Sequence, residues 1–106
     1  MGTLKSSDLR IKNEEMFTSS DFGKPIGQEL STILRRNLNK DNLANIATGC
    51  SISFSTVRDL VYRTNSLTEG NSMALALLIH AALENSVARK LQSEGDIMFL
   101  DGLLKH

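Results

Sequence analysis

The chain has 106 residues, with twelve Lys and Arg balanced by twelve Asp and Glu, so its formal net charge is zero. That length suits one domain, which buries roughly 60–70% of its unfolded surface and needs no disulfide or metal staple. A charged fraction of 23% and a mean hydropathy of −0.14 exclude an acidic or basic disordered tail, a collagen-like chain and a membrane span.

Residues 1–23 show no clean period. Met1 to Arg10 alternates polar and charged residues without the apolar run of a secretory signal. With Cys50 as the single cysteine, no internal disulfide is possible and a reducing, cytoplasmic setting is expected. Leu9, Ile11, Met16 and Phe17 fit neither a strand nor a helix, so this segment is predicted to be a partly ordered arm, with Phe17 and Phe22 as anchors. Phe22 to Gly27 marks a boundary, and Pro25 suits the first turn of a helix, where its missing N–H is not needed.

A helix-turn-helix domain is predicted over residues 24–92. Ile26, Leu30, Ile33, Leu34 and Leu38 recur at helical spacing and place a first helix that ends near Asn37–Asn39. Asp41 is the expected N-cap of a second helix carrying Leu43, Ala44, Ile46 and Ala47, with Gly49 as its stop. Ser53 caps a third helix with Val57, Leu60 and Val61 inward. A polar connector, Thr64 to Asn71, leads to a fourth helix that Ser72 caps and that runs from Met73 to about Gln92. Residues 93–106 follow as a separate short helix, Ile97 to Leu104, begun by a break at Gly95 and a cap at Asp96.

No strand pattern competes, so the fold class is all-α, a small bundle of about five helices. The longest mostly apolar stretch, Met73 to Leu83, is too short to cross a bilayer and has His80 inside it, read as a core or interface histidine. That stretch is apolar on nearly every face, which calls for cover on all sides. A homodimer is therefore expected, built on Met73, Leu77, Leu78, Ile97, Phe99 and Leu100.

Catalysis finds no footing. His80, His106, Cys50 and scattered acids make no metal-ligand spacing, no phosphate loop and no nucleophile motif, so neither enzyme activity, cofactor, metal nor small-molecule ligand is expected. Cys50 reads as a small apolar residue.

The informative segment is Asn42 to Leu60. Two short helices joined by a tight turn need a small residue where they cross, here Ala47, and apolar residues before and within the turn, here Ile46, Cys50 and Ile52. They also need two inward residues from the second helix, here Val57 and Leu60. The run Ser53-Phe54-Ser55-Thr56-Val57-Arg58 then resembles the opening of recognition helices in phage-repressor-like (XRE-type) bacterial regulators. Asp59 to Arg63, the polar loop and Asn71 before an Ala- and Leu-rich helix are also similar to that family, over Ile26 to about Asn85. One departure stands out: the family usually has glycine in the turn, and Ser51 takes that place here while Gly49 lies two residues earlier. A register with Gly49 in the turn would put polar Ser55 where an apolar inward residue belongs.

The resemblance implies a small transcriptional regulator binding double-stranded DNA as a homodimer. The third helix then enters the major groove with Ser53, Phe54, Ser55, Arg58, Asp59 and Tyr62 outward. Arg58 is the candidate for a bidentate guanine contact, and Phe54 either meets a thymine methyl or covers the helix junction. Thr56, Arg63, Lys40, Asn42, Arg35 and Arg36 are the candidates for phosphate. Asp59 opposes phosphate unless it accepts from a cytosine amino group or pairs with Arg58 or Arg63. Charge is uneven in the required sense. Residues 24–63 hold Lys24, Arg35, Arg36, Lys40, Arg58 and Arg63 against Glu29, Asp41 and Asp59, a balance of +3 within a neutral chain. The competing expectation is the same fold used to bind another protein, supported by the overall neutrality and by Asp59 on the reading face.

Overall fold

The computed structural model describes residues 16–105, and the regular elements among them are four α-helices: α1 (Gln28–Asn37), α2 (Lys40–Cys50), α3 (Phe54–Val61) and α4 (Ser72–Leu104). The all-α expectation holds for these residues, with four helices in place of about five. Most of the proposed arm, residues 1–15, lies outside the described residues. Its described end behaves as expected, since Phe17 and Phe22 pack against the core.

The entry to α1 differs from the sequence expectation. Pro25 and Ile26 lie outside the helix, and Gly27, in an extended conformation, is the N-cap, with no side chain to bond the helix start. The segment is tied down from outside: Gly23 N–H donates to Leu67 O at 2.8 Å, and Leu67 N–H donates to Lys24 O at 2.9 Å. Gly23 makes this possible at φ 88°, a left-handed conformation in which a side chain would be strained.

At the next junction, α2 is capped by Asn39 and not by Asp41. Asn39 Oδ1 accepts from Asn42 N–H and Asn42 Oδ1 accepts from Asn39 N–H, both at 2.9 Å, so two otherwise unmet helix-start donors are satisfied reciprocally. Asp41 sits in the first turn, where its charge favours the positive end of the helix dipole. Gly49 does not stop α2; it lies inside the helix, which closes at Ser51. Ser53 caps α3 as expected, its Oγ accepting from Thr56 N–H at 3.0 Å.

Leu34, Val57, Leu60, Val61, Leu75 and Leu78 form the centre of the core, each no more than 1% exposed. Burying such side chains is worth about 1.5–3 kcal/mol each. Ser31, only 1% exposed, donates from Oγ to Val61 O at 2.7 Å, which joins α1 to the end of α3 and leaves this buried hydroxyl satisfied.

The long helix α4 corrects two expectations. Gly95 does not break it, and Ile97 to Leu104 is its continuation, not a separate helix. A single glycine costs a helix only about 1 kcal/mol, and no proline reinforces the break. The apolar first turns also need no partner subunit: Ala74, Leu75, Ala76, Leu78 and Ala82 are buried by the chain's own helices. Leu78, fully buried, is therefore a core residue and not an interface residue, while Met73 and Leu77 are half-buried. Beyond Ala82 the helix leaves the core, and the molecule extends 58 Å along its longest axis against 30 and 25 Å across. No described helix is long and apolar enough to cross a membrane.

Candidate nucleic-acid interface

The turn between α2 and α3 consists of Ser51, Ile52 and Ser53. Ser51 adopts φ 57° and ψ 40°; its N–H donates to Thr48 O at 3.2 Å, and Ile52 N–H donates to Ala47 O at 3.0 Å. This pair of bonds around a left-handed residue is the Schellman closure, usually built on glycine. Ser51 thus occupies the position assigned to the turn glycine in the preferred register, and Gly49 does not. Of the six junction residues, Ala47, Val57 and Leu60 are buried, Ile46 and Ile52 pack against the core half-buried, and Cys50 is half-buried. Burial pushes the Cys50 thiol above its usual range.

Seen from solvent, α3 presents Ser53, Ser55, Arg58 and Tyr62 as exposed residues, with Phe54, Thr56 and Asp59 half-buried. Phe54 packs against the core, so its cover role is realised. Ser53 and Thr56 are engaged with each other, their hydroxyls 2.8 Å apart in the cap, which ties both side chains to the helix start. Arg58 and Asp59 pair on the surface, Nη2 to Oδ1 at 3.1 Å with Nε donating to the same oxygen at 3.1 Å. Of the two pairings expected of Asp59, the one with Arg58 is formed. Exposed as it is, such a pair is worth at most about 1 kcal/mol and gives way readily to a better acceptor.

The cations divide into two groups. Arg35, Lys40 and Arg58 line one open groove of about 670 Å³ together with Asp59 and Tyr62, over a floor that includes Leu34, Leu38, Leu43 and Val61. The Arg35 guanidinium stands 5.3 Å from the centre of the Tyr62 ring, a cation–π contact that holds both at the groove wall. Arg36 is exposed but does not line this groove. Arg63 departs furthest from its phosphate assignment. Its Nε donates to Ile26 O at 2.7 Å and its Nη1 to Gln28 Oε1 at 2.8 Å, clamping the start of α1. It too occupies a left-handed position, φ 65°, closing α3 through Arg63 N–H to Leu60 O and Thr64 N–H to Asp59 O.

Asn42 is likewise occupied. Besides its capping bond, its Oδ1 accepts from Asn85 Nδ2 at 3.3 Å, and Asn85 Nδ2 also donates to Asn37 O at 2.9 Å. Arg89 Nη2 donates to Asn37 Oδ1. Asn37, Asn39, Asn42, Asn85 and Arg89 therefore lock the α1–α2 junction onto α4 and fix where Lys40 stands. Sequence reasoning missed this network, although Asn39-x-x-Asn42 carried a readable signal, a capping-box spacing.

No family model, curated protein or solved structure matches the chain. Its geometry alone therefore distinguishes the uses of this surface. No cluster of potential metal ligands exists among the described residues, and the groove walls offer cations, one acid and a phenol around an apolar floor.

Proposed function

We propose that this chain is a small helix-turn-helix protein of the phage-repressor-like type that binds double-stranded DNA sequence-specifically and regulates transcription, with α3 as its reading helix. The observation that carries this reading is the left-handed Ser51. It closes α2 and turns the chain, within three residues, into an α3 whose inner face is fully buried and whose outer face offers Ser55, Arg58 and Tyr62. An α-helix fits the major groove, and an exposed, loosely paired Arg58 is suited to a bidentate guanine contact. Arg35, Arg36 and Lys40 are the remaining cations for phosphate; Arg63, Thr56 and Asn42 serve the fold. Such a regulator acts in the cytoplasm, a reducing setting that suits the single, unbridged Cys50.

Titration of duplex DNA against salt tests the proposal. If Arg35, Arg36 and Lys40 each neutralise one phosphate, log affinity falls against log salt with a slope of about −2.7 per head. Arg58→Ala relaxes preference at one base position by about 1–3 kcal/mol, whereas Lys40→Ala weakens all sequences alike. No binding at low salt, or binding indifferent to salt, overturns the reading. The apolar groove floor then favours the second use, in which the same fold docks a protein segment at that groove.

A further inference from the structure

The groove lined by Arg35, Lys40 and Arg58 has a feature that phosphate contact does not use, an apolar floor. Leu34 and Val61 lie at its base, 1% exposed, whereas Leu38 and Phe54 are half-buried and Tyr62 stands exposed. A phosphodiester is polar and gains little there; an aromatic body gains from the water that both surfaces release. At about 670 Å³ the groove matches sites that hold small ligands, roughly 300–1,000 Å³, and an apolar bed with a few charged groups is their common make-up. Phe54, Arg58 and Tyr62 follow one another at intervals of four residues, a stripe about 12 Å long at 1.5 Å per residue. A body of two or three rings spans it.

Charge decides the rest of the occupant. The lining holds three cations, Arg35, Lys40 and Arg58, against the single acid Asp59. Arg58 already meets Asp59 at 3.1 Å, and Arg35 stands 5.3 Å from the centre of the Tyr62 ring. Lys40 has no side-chain partner among the described residues, so its charge is open to a ligand. A cationic occupant is repelled by this lining, and a neutral one leaves the surplus positive charge unanswered.

We propose that the groove holds one small amphipathic anion, an aromatic body of two or three rings bearing a carboxylate or sulfonate. The body lies on Leu38, Phe54 and Tyr62, and Lys40 meets the charge. This site stands whether or not α3 meets DNA. Its consequence rests on the reading of α3 proposed above: Arg58 and Tyr62 serve both uses, so an occupied groove excludes the duplex.

Anilinonaphthalenesulfonate, an anion with a three-ring body that fluoresces in apolar surroundings, is the probe. Titrated into the full chain without nucleic acid, it binds with a stoichiometry of one. Lys40→Glu weakens it about tenfold, since an attraction becomes a repulsion. Lys90→Glu, the same charge change on the exposed outer part of α4, leaves it unchanged. Phenylnaphthylamine, the same body without the sulfonate, binds wild type and Lys40→Glu alike. Inorganic phosphate in excess at constant ionic strength does not displace the probe. No binding overturns the proposal and leaves the groove to the protein segment considered above. Weakening by Lys90→Glu and not by Lys40→Glu overturns it by placing the probe on α4, and displacement by phosphate overturns it by leaving the floor unused. Saturating probe then lowers duplex affinity at least about fivefold. Undiminished duplex affinity overturns the exclusion, whereas no duplex binding with or without probe overturns the reading of α3 alone.

Discussion

At the scale of single residues, the two left-handed positions behave in opposite ways. Ser51 and Arg63 each close a helix with the same pair of backbone bonds, at φ 57° and 65°. A non-glycine residue costs about 1–2 kcal/mol in this conformation, and glycine returns about 0.4–1 kcal/mol of that through the freer unfolded chain. The Ser51 hydroxyl makes no bond among the described residues, so Ser51→Gly stabilises the protein by about 0.5–1 kcal/mol, read as a higher urea midpoint at unchanged slope. Arg63→Gly removes the same strain and loses two charge-assisted bonds, to Ile26 O and Gln28 Oε1. With such bonds worth about 1.5–3 kcal/mol each where water is excluded, and less here at the surface, it destabilises by about 1 kcal/mol. Ser51's place was legible in the sequence because only that register turns Val57 and Leu60 inward. Arg63's role was not: its partners lie more than thirty residues away, and a charged side chain carries no mark of whether it meets protein or phosphate.

At the scale of elements, a helix start was legible where one side chain suits the cap, and misplaced where two neighbours compete for it or none makes it. Ser53 was found, Asn39 was overlooked in favour of Asp41, and α1 begins after a glycine that caps nothing with its side chain. Glycine as a stop misled twice, at Gly49 and Gly95, because its cost of about 1 kcal/mol is smaller than the gain from a helix already propagating on both sides. Gly95 offers a direct measure. A methyl group added there meets nothing within 4 Å. Gly95→Ala therefore raises the stability of the outer half of α4 by up to about 1 kcal/mol. Because this half lies off the core, the effect is local: amide exchange around residues 91–104 slows about fivefold. The global unfolding midpoint measured at monomeric concentration stays where it is.

At the scale of the whole molecule, composition and architecture constrain each other. If α3 reads DNA, a neutral chain with Arg35, Arg36 and Lys40 as its phosphate cations has little non-specific hold on the duplex. Which half of α4 serves the core was not legible in the sequence: both halves are apolar, and only the fold shows that the first is buried and the second is not. On that reading of α3, Lys40→Ala brings the slope of log affinity against log salt from about −2.7 to about −1.8 on every duplex, while Arg58→Ala leaves the slope where it is and changes which sequence is preferred. Titrating each variant with duplex DNA at several salt concentrations reads both effects; a slope that Lys40→Ala leaves unchanged takes Lys40 off the phosphate path.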